Sequence, residues 1–321
     1  MEGSYPRPLQ AQVVSINAAL FCAAMGTYTP HPGGGMAEKT VAPPPKRATI
    51  EALNKLHGEG AIVPVGDEGV PHYCCDAAAA ERSDPLGSLP LAEGKVAERV
   101  RRAWALIDHA DAALGRTMRA VIVAIVTLPE DDDRPEGFSR SDAVGVVWAR
   151  PASTWDAFDF ACTLVHECAH SAIHLDEMVA MLYAVEREAL DATLAHSSIR
   201  GRPRPYDKAL HAAVVSACLA RFCEVVAASC RDALERQQRG REAAEHMRDI
   251  AGALPSLIEG KFCLAPAGLV YLRELIDLVS AAGGPAMPLC RSQFQPCSAA
   301  ASLDAVRECT LRFAAANIAR Y

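Results

Sequence analysis

His166, Glu167 and His170 set the chemistry this sequence could attempt. They form an H-E-x-x-H pattern inside the stretch Leu164-Val165-His166-Glu167-Cys168-Ala169-His170. The lead-in is apolar (Phe158, Phe160, Leu164, Val165), and no Gly or Pro occurs in residues 152–174, so the pattern sits on a predicted helix. Residues four apart on a helix share a face. His166 and His170 can therefore offer two imidazoles to one divalent metal, with Glu167 beside them. The plainer alternative is a helix face whose two histidines are satisfied by hydrogen bonds.

A third protein ligand decides the chemistry. His174 continues the i+4 series but lies eight residues beyond His166, about 12 Å along the axis. Two ligands each about 2 Å from one ion cannot be that far apart, so His174 reads as a supporting or surface histidine. A metzincin would place a histidine six residues after His170, where this chain has Asp176. Glu186 and Glu188 stand at the spacing of the glutamate ligand that gluzincin-type peptidases carry on the next helix. His211 lies farther on, after a turn rich in Arg and Pro.

The elements that must carry these residues are mostly helical. Apolar positions recur at helical spacing in residues 92–114 (Val96, Val100, Trp104, Ile107). Residues 119–128 are short, β-branched and followed by Pro129, and residues 143–149 are similar, so two strands are predicted before the metal helix. Ser153 or Thr154 is the expected cap of that helix. Beyond it come a helix over 176–196, a basic turn over 197–205, a long helix over 206–237 that continues to 250, and a helix over 266–282 closed by Gly283-Gly284-Pro285. Helices are also expected over 8–25, from Thr49 to Leu56 and over 306–318, with a Pro/Gly-rich linker over 26–47. The fold class is mostly α (α+β): a multi-helix domain with a small sheet preceding the metal helix. The division is residues 1–90, a helix with a linker and irregular region, and residues 91–321, the catalytic domain.

Half of the 321 residues are hydrophobic and 22% are charged, enough apolar mass for a packed core. The net charge of −7 and the absence of a long basic run argue against a nucleic-acid partner. No run of 18 apolar residues stands out as a membrane span. The apolar run over 13–25 lacks a basic n-region, so it is not read as a signal peptide. The 12 cysteines are scattered, mostly inside predicted helices, without a C-x-x-C, the usage of reduced thiols in a cytoplasmic protein. The triplet Asp131-Asp132-Asp133 reads as a solvated turn.

Two strands, the second containing Gly145-Val146-Val147-Trp148, precede the H-E-x-x-H helix; a helix, then Arg202-Pro203-Arg204-Pro205, then Leu210-His211 follow. This order, over residues 119–230, resembles the H-E-x-x-H peptide-modification proteins encoded beside ribosomally made natural-product precursors. Members of that family are understood as iron(II)- and 2-oxoglutarate-dependent peptide β-hydroxylases. The resemblance implies that His166 and His170 bind the metal, with His211 as third ligand. It implies Arg204, with Arg202 nearby, as partner for a 2-oxoglutarate carboxylate, and a precursor peptide as substrate. An arginine fork suits a carboxylate, and histidine ligands suit iron or zinc alike. The best-known iron oxygenases use two histidines and a carboxylate, which would bring Glu186 or Glu188 back as ligand and leave His211 supporting.

The competing expectation is a zinc metallopeptidase in which Glu167 is the general base for metal-bound water. In an oxygenase no such base is needed, and Glu167 orients a ligand or the substrate. A helical module with an accidental motif is the third possibility.

Overall fold

Residues 72–74, 94–122, 124–128, 136–139, 144–179 and 181–283 are described by a computed structural model of the chain. The helices expected over 8–25, 49–56 and 306–318 and the linker over 26–47 lie outside these residues. A small sheet stands before the metal helix, as the strand patterns require. Its strands are β1 (His72–Cys74), β2 (Ala124–Thr127), β3 (Gly137–Phe138) and β4 (Val146–Ala149), in the spatial order β1-β2-β4-β3. β1, β2 and β4 run parallel, and β3 is antiparallel to β4. β1 comes from before residue 90, so the sheet crosses the boundary expected there.

Two helices, α1 (Gly94–Ala110) and α2 (Ala112–Val121), form the crossover from β1 to β2, as a parallel pair requires. One helix over 92–114 was expected; the break comes at Asp111. Its backbone is extended, and its carboxylate accepts from the amides of Ala113 and Leu114 at 2.8 and 3.0 Å, an N-cap that restarts the helix. Residues 119–121 therefore belong to α2 rather than to the strand expected over 119–128. Burial of Met118 and Val121 outweighs the β preference of the Val-Ile run. Arg119 grips Asp108 with two hydrogen bonds of 2.7 and 2.6 Å, folding α2 back on α1.

The H-E-x-x-H helix is α3 (Ala157–Val179). Its cap is Asp156, not Ser153 or Thr154: Asp156 Oδ1 accepts from the amides of Phe158 and Asp159, and its own amide donates to Asp159 Oδ2 at 2.9 Å. This reciprocal arrangement is a capping box with Asp in both places. The second helix expected over 176–196 does not form. α3 absorbs its start through Val179, and a short α4 (Arg187–Ala192) follows. A hairpin of β5 (Leu194–Ser197) and β6 (Arg202–Pro205) then replaces the end of that helix and the basic turn.

α5 (Tyr206–Ser229) and α6 (Ala233–Glu259) were expected as one run, but Asp232 accepts from the Glu235 amide at 2.8 Å and starts a new helix. A 3₁₀ turn (Gly260–Cys263) leads to α7 (Pro266–Ala281), which begins on Pro266 and ends before Gly283 as expected. The seven helices hold 71% of the described residues, so the fold is mostly α with a small mixed sheet. α5 does contain a window long and apolar enough to cross a membrane, contrary to the sequence reading, with 72% of it buried inside the protein. A helix apolar on all sides fits the centre of a core, and α5 packs between α3 and α6.

Gly268 of α7 faces the 181–185 segment at close range. A Cβ there would lie 2.2 Å from the Leu182 carbonyl oxygen and 2.9 Å from Leu264 Cδ2. The Leu182 carbonyl is held by the Ala265 amide at 3.0 Å and cannot easily move. Gly268→Ala is therefore expected to destabilise the protein by about 3 kcal/mol, at the upper end of ordinary overpacking costs. Urea unfolding that finds a loss below about 1 kcal/mol would contradict this packing.

Candidate metal centre

α3 supplies His166 and His170 one turn apart, and their ring centroids are 5.0 Å from each other. Two imidazoles sharing an ion about 2 Å from each nitrogen have rings roughly this far apart. α5 supplies His211, which is 4% exposed; its ring centroid is 5.9 Å from that of His170 and 5.3 Å from that of His174. The fold thus lays His211 beside α3, between the second and third histidines of the series. All four line one cavity of about 860 Å³.

His174 is not an ordinary surface histidine. Its Nδ1 lies 2.9 Å from Glu177 Oε2, and Glu177 Oε1 lies 2.7 Å from His211 Nε2. Among the described residues, His174, Glu177 and His211 are the one group of three whose ligand atoms all lie within 4.8 Å of one another, a spacing that could hold an ion; His166 and His170 are not in that group. Glu177 was not anticipated. The signal was present: it lies seven residues after His170 and eleven after His166, each within about 20° of whole helical turns. Glu186 and Glu188, the gluzincin-type candidates, are exposed and do not line the cavity. The reason is the early end of α3, which leaves them on a separate segment at the N-terminus of α4.

Burial controls the charge of the site. It lowers the pKa of His166 to about 4, helped by repulsion from the neighbouring His246 and Arg200. His170 is pushed well below the usual histidine range by burial and by His166, His211, His174 and Lys208. Both rings are therefore neutral near pH 7, as metal ligands must be. Burial raises Glu167 to about 7, offset in part by a hydrogen bond from Ser139. Glu167 Oε2 is buried without a hydrogen-bond partner among the described residues, and Oε1 is 3.8 Å from His166 Nε2. Burial opposes ionisation of Glu177, but the His211 charge and the hydrogen bonds from His174 and His211 hold its carboxyl well below the usual range. Neutral imidazoles beside an unsatisfied carboxyl oxygen suit a divalent cation, and the nitrogen donors fit iron or zinc.

β3 comes close enough to form one wall. A Cβ on Gly137 would lie 2.9 Å from Thr163 Cγ2 and 3.1 Å from Glu167 Oε1, so a residue without a side chain lets the strand reach α3. Arg204 of β6, Arg200 of the hairpin turn and Lys208 of α5 also line the cavity, with Arg150 after β4. Among the described residues, neither Arg200 nor Arg204 has a carboxylate partner. Arg202, named with Arg204 in the sequence reading, is exposed and outside the lining. The segment is a hairpin rather than a loose loop, and Arg202 sits two residues back on β6, about 6.6 Å farther from the start of α5.

No family model matches the chain, and no curated protein matches it. The weight of any functional reading therefore falls on this cavity.

Proposed function

We propose that the chain is an iron(II)- and 2-oxoglutarate-dependent oxygenase that hydroxylates a β-carbon in a ribosomally made precursor peptide, acting in the cytoplasm. The observation that carries the reading is one cavity lined by His166, His170 and His211 together with Arg200 and Arg204, neither of which has a carboxylate partner among the described residues. His166, His170 and His211 would hold the ion. Bound iron supplies reduction of O2 coupled to decarboxylation of 2-oxoglutarate, giving succinate, CO2 and a hydroxylated peptide.

The chain's own residues bind and orient. Arg204 can meet the distal carboxylate of 2-oxoglutarate with two parallel hydrogen bonds. Arg200 and Lys208 add positive charge to the same cavity and favour a dianionic co-substrate. The resemblance carried by the H-E-x-x-H helix, the R-P-R-P stretch and His211 supplies the peptide substrate. Incubating the purified protein with Fe(II), 2-oxoglutarate and the candidate peptide should release succinate and add 16 mass units to the peptide, roughly one oxygen per turnover. Peptide cleavage without succinate would reject the reading.

A second reading, a zinc metallopeptidase, is favoured by one observation. Glu167 is buried beside His166, lacks a partner at Oε2 among the described residues and has its pKa raised to about 7, as a general base would. Glu167→Gln separates the two. An oxygenase is expected to keep its metal and part of its turnover in this variant. A peptidase is expected to lose at least about a hundredfold in kcat. Succinate release measured beside peptide hydrolysis gives the answer, and a metal-loaded variant with no turnover at all counts against the oxygenase.

A further inference from the structure

We infer that Glu177 is a positioning residue that presents His211 to the metal through Nδ1. The inference rests on the reading that His166, His170 and His211 hold the ion. An ionised carboxylate can only accept hydrogen bonds. With Glu177 Oε1 2.7 Å from His211 Nε2, a neutral His211 that donates from this nitrogen keeps its lone pair on Nδ1. The second oxygen, Oε2, takes the Nδ1 proton of His174 at 2.9 Å. Both carboxylate oxygens are thus engaged by rings from two helices, so the group is pinned on either side. His211 is buried and its ring borders His170 and His174, which leaves it little freedom to turn.

A carboxylate behind a ligand histidine fixes the ring's tautomer and direction and makes the free nitrogen a stronger donor. The arrangement explains two features that the motif leaves unassigned. One is an acidic residue on the same face of α3, three turns past His166. The other is His174, too far from His166 to share its ion. His174 holds the far oxygen of Glu177, so the relay runs from α3 to α5 and back. The same three residues could instead hold an ion directly, since their ligand atoms are within 4.8 Å of each other.

The test is titration of the metal-free full chain with Co(II) alone by calorimetry, together with nitrogen NMR of the histidine rings before metal is added. The wild type is expected to bind one ion and to show His211 protonated at Nε2. Glu177→Gln and Glu177→Ala are expected to lower Co(II) affinity about 10–100-fold at unchanged stoichiometry. Both should also lose the single His211 tautomer. Unchanged thermal melts of the metal-free variants exclude a folding defect, and the nearly isosteric Gln variant guards against one. Wild-type affinity and an unaltered tautomer in both Glu177 variants would overturn the inference while His166→Ala and His170→Ala still abolish binding. Retention of Co(II) by His166→Ala and His170→Ala, with loss in His174→Ala and Glu177→Ala, would overturn both the inference and the reading it rests on. In that result the ion sits on His174, Glu177 and His211.

Discussion

His166→Ala and His170→Ala should each abolish stoichiometric binding of a divalent metal. The two rings lie one turn apart on α3 with centroids 5.0 Å from each other, and burial keeps both neutral. Neither variant removes a packing anchor: the core side of α3 is built from Phe160, Leu164, Val165 and Cys168. Far-ultraviolet circular dichroism should therefore stay as in the wild type. The affinity loss can be bounded. Structural zinc sites gain about 10–16 kcal/mol from four ligands, so one ligand is worth roughly 3–4 kcal/mol, a hundredfold to a thousandfold. Elemental analysis after dialysis against a mild chelator reads this directly. Full metal content in both variants would remove the ion from the H-E-x-x-H helix.

Arg204→Ala and His211→Ala should fail in different ways. His211→Ala removes a ring that borders His170 in the buried floor of the cavity, and metal affinity should fall. Arg204 stands on β6, immediately before α5, and lines the same cavity without a carboxylate partner among the described residues. Its removal should leave metal content intact and raise the 2-oxoglutarate KM. A hydrogen bond to a charged group contributes about 1.5–3 kcal/mol, so the rise should be roughly 10–100-fold. Arg204→Lys should recover only part of this, because an ammonium lacks the planar fork. Arg200 and Lys208 share the cavity and set the residual affinity. Arg202→Ala is the control: exposed and outside the cavity, it should move the KM less than about twofold. Equal effects of Arg202→Ala and Arg204→Ala would mean that charge on the hairpin, rather than one fork, attracts the co-substrate.

Local pattern made several features legible before any tertiary contact was known. The i, i+4 histidines, the apolar run around them and the lack of Gly or Pro specify a helix with two rings on one face, because helix periodicity is a property of nearest turns. The β-branched runs ahead of it become β2 and β4, and Pro266 and Gly283 bracket α7. Helix ends are less legible in the sequence. Asp111, Asp156 and Asp232 each cap a helix through side-chain bonds to its first amides, and several Ser, Thr and Asp residues competed for those roles.

The convergence of the site was decided by tertiary structure. Nothing local links Glu177 to His211, 34 residues away; they meet because α3 and α5 pack side by side. The end of α3 and the hairpin after α4 were equally hidden. A helix pattern over 176–196 satisfies local propensity, but Leu194 to Ser197 gain more from pairing with β6 and packing on α5 and α6. That single rearrangement carries Glu186 and Glu188 out to solvent and turns Arg200 and Arg204 toward the histidines. Helical spacing names which residues can share a face, because the helix repeats within one turn. Which faces meet depends on the packing of elements far apart in the chain, and that information exists only in three dimensions.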